Sequence, residues 1–537
     1  MPTQRIQFKE WLPDQPSILD TVSEANNVIP LAVGYGPFKS AVDYSGAATE
    51  DLNNCFAGKI NNDVSIFAGG ATKLFKVSST DLSMEDVTRA AGAYTGVNRW
   101  QFVQFGNTVL ASNGSEKIQS YDLITSTDFA DLAAAAPVAK YITLVRDFVV
   151  GANIGAGTYP SRVQWSDIND ETDWTPGAAS QSDFQELPDG GDITGITGGE
   201  FGIVFLEKAI VRMSYIGSPL FFQFDTISRN VGCVEGGSIA QYGGVTYFLS
   251  DDGFYSCNGQ QVTGIGSEKV DRYFYANANI GDIDSISAAA DPERNLIIWN
   301  YTTVSGNRAL LIYNFETQKW SEADTDVDVL STLATTGTTL DGIDSAYNVT
   351  AGSFVVGKSY TIRSIGTTNY TLIGAVANTV GVLFTATGVG SGTGVAIDMA
   401  ASAAALKTVD TLTTTLDDRL YAGGKFLFGG VRDTKIITFT GTYATANITT
   451  NDLEYGYNSV LTLIRPSVDS GSASVSVASR RMLDDTLTYG STVTASEEDR
   501  CSVRSAGRYH RVNLTPTGAD WHSAIGIDLD YSQQGNR

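Results

Sequence analysis

Between Val64 and Thr440 the chain repeats one short phrase: an apolar strand, a tight turn of Gly, Asn or Asp, and another apolar strand. Trp100–Ser112, Ile203–Tyr215 and Val245–Cys257 are clear instances. Seven such phrases can be read. They centre on Cys55–Val77, Trp100–Asp122, Tyr141–Ser166, Ile193–Tyr215, Ser238–Ile265, Ser285–Ala323, and a seventh that begins near Val329 and resumes at Leu420 through Lys435–Thr440. Turns are expected at Gly69-Gly70, Gly106-Asn107, Arg146-Asp147, Gly198-Gly199, Gly243-Gly244 and Gly306-Asn307, where the residues tolerate tight backbone conformations. Units of three or four strands recurring roughly every 40–50 residues are the pattern of propeller blades, sheets that become stable by packing on their neighbours. The expected fold class is therefore all-β: a β-propeller with an inserted small β module and a C-terminal β-sandwich-like domain. A string of antiparallel hairpins also fits a sandwich, but seven similar units in a row favour the propeller.

A chain of 537 residues is too long for one core, so several domains are expected. Residues 1–50 carry isolated apolar anchors (Trp11, Leu12, Pro13, Ile29, Pro30, Leu31, Tyr35, Phe38) without a period, and read as an arm laid along its own domain or along another surface. Residues 51–345 and 400–440 would form the propeller. Residues 346–399 shift to Gly, Thr, Val and Ser and read as a small β domain inserted at a loop, with strands at Phe354–Val356, Tyr360–Ile362, Tyr370–Ile373, Gly381–Thr385 and Gly394–Ile397. Residues 441–537 alternate apolar and polar positions, as a half-buried antiparallel sheet does. Helix is scarce. Ser267–Tyr275, capped by Ser267, and Ala400–Thr408 are the candidates.

The net charge is −24, from 59 acids and 35 bases. An acidic chain gains nothing from phosphate neutralisation, which argues against sequence-specific nucleic-acid binding; it could still face DNA without holding it, or be acidic only for solubility. Cys55, Cys233, Cys257 and Cys501 are scattered, and reduced thiols are expected. The residues after Met1 lack the apolar core of a signal peptide, and Ser364–Ile397 is too interrupted for a membrane helix. A soluble protein made in a cytoplasm, without membrane insertion, is the expectation.

No catalytic constellation accompanies the repeats. The two histidines are His510, in an alternating strand and expected to be solvent-facing or satisfied, and His522. There is no H-E-x-x-H, no zinc spacing and no G-x-S-x-G elbow. Gly388–Gly394 has the wrong spacing for a dinucleotide fingerprint and reads as a flexible turn. Asp324-Thr-Asp-Val-Asp328 alternates carboxylates but places Val329 and Thr335 where an EF-hand needs Gly and Glu, which leaves only a weak case for calcium at a rim loop. Asp189, Asp192, Asp251 and Asp252 sit in glycine-bearing turns, where local backbone bonds are their usual work. The chain is thus read as non-enzymatic, with no catalytic, cofactor-binding or metal residues assigned and no cofactor.

Several phrases resemble one family. Val163–Trp174, Phe184–Gly191, Phe248–Tyr255, Gly264–Arg272, Leu311–Trp320 and Ser505–Val512 are similar to segments of the tail nozzle of short-tailed bacteriophages, also called tail tubular protein B or the packaged-DNA stabilisation protein. The resemblance covers most of residues 150–330, the arm more loosely, and the last thirty residues. The segment 346–399 looks like a small domain inserted in varied phage structural proteins. The resemblance implies a virion protein built on a β-propeller that forms a hexameric ring. The ring would lie below the portal and adaptor, with tail fibres, spikes or a tip plug around or below it. Its lumen would retain the packaged genome and later conduct the DNA without sequence-specific binding; the protein would be assembled in the host cytoplasm and located in the virion tail. The alternative is a glycan-binding or depolymerising propeller of the tail, with some of the seven Trp and 24 Tyr as sugar platforms.

Overall fold

The computed structural model describes residues 3–534 apart from 62, 79–81, 97–98, 335–347 and 399–425. The expected helix at Ala400–Thr408 and the resumption of the seventh phrase at Leu420 lie outside the described residues. Within them the chain is almost entirely β, in seven four-stranded sheets and one sheet of 14 strands.

Five of the four-stranded sheets are simple antiparallel meanders in chain order. The first runs Leu52–Ile60, Asp63–Gly70, Leu74–Val77 and Met84–Asp86; the second, Gln101–Phe105, Thr108–Ser112, Gln119–Asp122 and Ala130–Asp131. The third runs Ala139–Val145, Phe148–Ile154, Tyr159–Trp165 and Asp183–Glu186; the fourth, Ile193–Thr197, Gly202–Leu206, Ile210–Gly217 and Phe221–Ser228. The fifth holds Ala240–Tyr242, Val245–Ser250, Gly253–Cys257 and Val262–Gly264. A later sheet is assembled from distant segments: Val329–Ala334, Phe426–Arg432, Lys435–Thr438 and, from the arm, Val42–Asp43.

The apolar runs follow from burial on both faces. All five residues of Gly202–Leu206 are buried. Val204 and Leu206 turn towards Val145 and Phe148 of the third sheet, while Ile203 and Phe205 turn towards Phe248 and Cys257 of the fifth. A strand sandwiched this way cannot alternate with polar residues, because successive side chains face opposite layers and both are dry. Phe67, Trp100, Val109 and Tyr121 likewise join the first and second sheets, Leu110, Ile142 and Val149 the second and third, and Val329, Val431 and Ile66 the late sheet and the first.

The β-propeller expectation is corrected by the strand pairing. No sheet among the described residues closes or curls on itself, and the chain is an all-β succession of small antiparallel sheets. The sixth phrase is not an independent unit. Its strands Ser287–Asp291, Leu296–Thr302, Arg308–Asn314 and Lys319–Thr325 continue through the arm strand Val22–Asn26 into Asn447–Thr450 and the C-terminal strands, making the sheet of 14. The expected separate C-terminal β-sandwich-like domain is corrected by the same finding. Its strands Leu453–Val468, Ser472–Arg480, Cys501–Thr517 and Ala524–Gln533 are hydrogen-bonded members of that sheet. Periodicity reports which residues form strands; it carries no record of which distant strand edge each one finds.

Two local expectations also change. Gly69-Gly70 is not a turn but the end of the strand Asp63–Gly70. A Cβ on Gly69 would lie 2.1 Å from Cδ1 of the buried Trp100, and one on Gly70 2.3 Å from Oε1 of Glu50, so both glycines serve close approach. The helix begins at Asp271, not Ser267; it spans Asp271–Asn277, and Val270 precedes it without a side-chain cap. In the inserted segment, Asn348–Thr350, Ser359–Ser364, Leu383–Thr385 and Val395–Asp398 form a sheet over Phe354, Tyr360, Tyr370 and Phe384. Tyr370–Ile373 is a 3-10 turn and Phe354–Val356 is a loop, where strands were expected.

Candidate functional site

The arm touches its own chain at many points. Thr3–Gln7 pairs with Ala524–Gln533 from Thr3↔Asp530 to Gln7↔Gly526, and Arg5 closes an ion pair on Asp528 at 2.8 Å. Val22–Asn26 pairs antiparallel with Asn447–Thr450 on one edge and meets Lys319–Thr325 in parallel on the other, at Asn26↔Glu322. Val28–Pro30 folds back on Tyr35–Pro37, and Tyr35 reaches Ala524. Val42–Asp43 then crosses to Lys435–Thr438, where Asp43 pairs with Lys435 and Arg432, both at 2.5 Å.

The anchors fix this path. Trp11, Tyr35 and Phe38 are each 1% exposed. Trp11 meets Tyr273 edge to face at 5.1 Å between ring centroids and donates its indole N–H to the Ser23 carbonyl. Tyr35 donates its hydroxyl to the Lys9 carbonyl, and Phe38 packs on Phe439. The polar contacts interlock with the apolar ones. Asp14 accepts the backbone N–H groups of Arg272 and Tyr273 at the start of the helix, Lys269 pairs with Glu10 at 2.6 Å, and Ser321 and Asn314 donate to the carbonyls of Val28 and Pro30.

Two carboxyl groups along this seam are displaced in opposite directions. Glu322, beside the arm strand, accepts the Tyr273 hydroxyl at 2.5 Å. Burial pushes its carboxyl up to about 7, only partly opposed by that bond and reinforced by Glu24 and Asp324. Asp452, just beyond Asn447–Thr450, has a fully buried side chain gripped by Arg511 through Nε at 3.0 Å and Nη2 at 3.1 Å, and by Arg480 at 2.5 Å. Burial raises its carboxyl, but the bonds from Arg511, Ser17 and Arg480 outweigh that and hold it below the ordinary aspartate range. Neither residue stands out in the sequence. Glu322 lies within a strand and Asp452 between two, and the partners of each are distant in the chain.

The residues weighed for chemistry are dispersed. His510 is fully buried, with its two ring nitrogens 2.7 Å from Ser459 Oγ and 2.6 Å from Ser479 Oγ, and burial pushes it down to about 4. His522 is exposed beside Asp469. The carboxylates of 324–328 do not converge: Asp324 accepts from Asn26 and Asn27, Asp326 from Arg432, and Asp328 from the Asp433 N–H. Asp251 accepts from Ser250 and Asp252 from Tyr255, which are local bonds. Asp189 and Asp192 flank the Gly190-Gly191 turn, where Lys208 N–H donates to the Gly190 carbonyl. All four cysteines are free and buried, and burial pushes the thiols of Cys55 and Cys233 up to about 12. Among the described residues, no group of three or more His, Cys, Asp or Glu side chains is placed to hold a metal ion, and no helix is long and apolar enough to cross a membrane.

No family model matches the sequence, and no curated protein matches it. Among solved structures, the chain is similar to the WD40 domain of Neurospora crassa Pan2, at 7% identity over 55% of this chain and 88% of that one, with a TM-score of 0.34. It is also similar to a chain of a mitotic checkpoint complex, at 11% identity over 57% and 91%, TM-score 0.34. A third is the computationally designed Ika8 protein, at 9% identity over 55% and 94%, TM-score 0.31. At these scores the likeness carries no argument. The three structures lend no support to the phage-specific terms that the resemblance implies, and what stands is an all-β chain of several small antiparallel sheets.

Proposed function

We propose that the chain is a non-catalytic, load-bearing structural subunit, whose specific form is the one its phrases resemble: a tail nozzle subunit of a ring-shaped channel that retains a packaged genome and conducts it during ejection. The observation that carries the mechanical part is the arm. Some forty residues are spent tying the C-terminal strands, the sixth-phrase strands and the late sheet to one another through backbone pairing at Thr3–Gln7, Val22–Asn26 and Val42–Asp43. Extended pairing loads several hydrogen bonds at once, as where Thr3–Gln7 meets Ala524–Gln533 and Val22–Asn26 meets Asn447–Thr450. A net charge of −24 suits a wall that a moving polyanion passes without sticking.

The experiment is mass spectrometry of purified virions encoded alongside this gene, together with electron microscopy of the purified protein. The expected result is this chain in the particle and annular assemblies in the images. Absence of the chain from particles refutes the nozzle reading; a strictly monomeric protein refutes the ring.

A further inference from the structure

A cavity of about 400 Å³ opens where the leading strands of several sheets approach one another. Asn53 reaches it from the first sheet, Gln101 from the second, and Lys140 and Tyr141 from the third. Glu235, Gly237, Asp282 and Asp284 line the remaining wall. Five charged groups, two bases and three acids, therefore face one volume: Arg99, Lys140, Glu235, Asp282 and Asp284. Among the described residues none of the five closes a direct salt bridge, although Glu235 feels the charges of Lys140 and Arg99 across the cavity. Arg99 instead donates to the main-chain carbonyls of Ile286 at 2.8 Å and Ser285 at 3.3 Å, which orients its guanidinium without neutralising it. The glycine turn makes room for this: a Cβ on Gly237 would lie 2.1 Å from Nη1 of Arg99, and one on Gly236 2.7 Å from the Tyr141 ring.

A second observation points to a ligand. Asn113, which lines the same cavity, is only 3% exposed. Its Oδ1 accepts the N–H groups of Ser115 at 3.0 Å and Glu116 at 2.9 Å, which fixes the amide's orientation. Its Nδ2 has no partner. A buried donor left unmade is costly, so an acceptor admitted at this wall would be favoured.

We propose that this cavity binds a small zwitterion, a free amino acid or similar molecule, whose carboxylate takes the donors of Asn113, Lys140 and Arg99 and whose ammonium faces the acidic wall. The two bases already offset part of the acidic wall, so a simple anion would sit against Glu235, Asp282 and Asp284 with nothing to answer them, and a simple cation would leave Asn113 Nδ2 without an acceptor. A molecule bearing both signs answers all of them, and the volume lies in the range of small-molecule sites. The site is independent of the structural role proposed above.

Isothermal titration calorimetry on the full chain tests it with three related probes: L-alanine, propionate, which lacks its ammonium, and ethylammonium, which lacks its carboxylate. L-alanine should bind saturably, and each half-molecule about tenfold more weakly or worse. Asn113→Asp keeps the acceptor that serves Ser115 and Glu116 while replacing the free donor by an oxygen, and should weaken L-alanine about tenfold with an unchanged thermal midpoint. Lys140→Met, at a partly exposed position, should do the same and serves if Asn113→Asp does not fold. No saturable heat with L-alanine, equal binding of propionate, or full affinity in the folded variants would overturn the assignment.

Discussion

Tyr273 donates its hydroxyl to Glu322 Oε2 at 2.5 Å, a bond between the single α-helix of the described residues and the strand that the arm borders. Because burial raises Glu322 to about 7, the folded chain holds a proton there that the unfolded chain has already released. Stability from this group is fully present below the ordinary glutamate value and declines as pH rises towards about 7, after which it is lost. Glu322→Gln should flatten that decline and stabilise the protein above neutrality by on the order of 2 kcal/mol. Thermal midpoints of both proteins from pH 5 to about pH 9 read this directly; parallel curves would exclude it.

Asp452 gives the opposite limb. Its carboxyl is held low by Arg511 and Arg480 against the cost of burial, so its contribution is present above the ordinary aspartate value and disappears as pH falls through the depressed one. Asp452→Ala leaves two arginines facing each other in a largely buried site. A loss of about 3–5 kcal/mol in urea unfolding is expected.

Removing the arm's largest anchor should release the arm before it unfolds the rest. Trp11→Ala deletes the contact with Tyr273 and the bond to Ser23, at a cost of about 3–5 kcal/mol. Limited proteolysis should then cut within residues 1–45 while the sheets resist. Uniform sensitivity along the chain would contradict this.

Gly69→Ala places a methyl group against the indole of Trp100, which is fully buried and donates to the Gly70 carbonyl at 2.9 Å. The ring is packed against Tyr94 and Phe102, and Gly69 is paired on both edges of its strand. Destabilisation of about 1–3 kcal/mol is expected, together with a change in tryptophan fluorescence; Gly106→Ala, whose Cβ would meet nothing within 4 Å, should cost less despite its positive φ.

The strand content was legible because burial on two faces leaves a plain mark: runs such as Ile203–Leu206 are apolar throughout, and turns such as Gly243-Gly244 take the positive φ that glycine permits. The connections were not. Nothing in Val22–Asn26 announces that its two edges serve strands some 300 and 425 residues away. A strand's edge is backbone, and backbone hydrogen bonding is the same for every sequence. Gly69-Gly70 misled for a related reason: glycine marks a tight turn and a close approach alike, and only the position of Trp100 separates them. The groups of the seam and the cavity were hidden by dispersion. Arg99, Asn113, Lys140 and Glu235 share no local motif, and the stacking of sheets alone brings them together.

The pairing of Val42–Asp43 with Lys435–Thr438 also sets a timetable. Asp43 and Arg432 are 389 residues apart, so on the ribosome the opening segment must wait unpaired while most of the protein is made. Intermediate sheets can assemble as they emerge, but the late one lacks a strand until both distant stretches are available. Maturation therefore ends with a series of long-range clasps, the last of them Thr3–Gln7 on the strand Ala524–Gln533, and a nascent chain halted before residue 426 should leave its beginning open to proteases and chaperones.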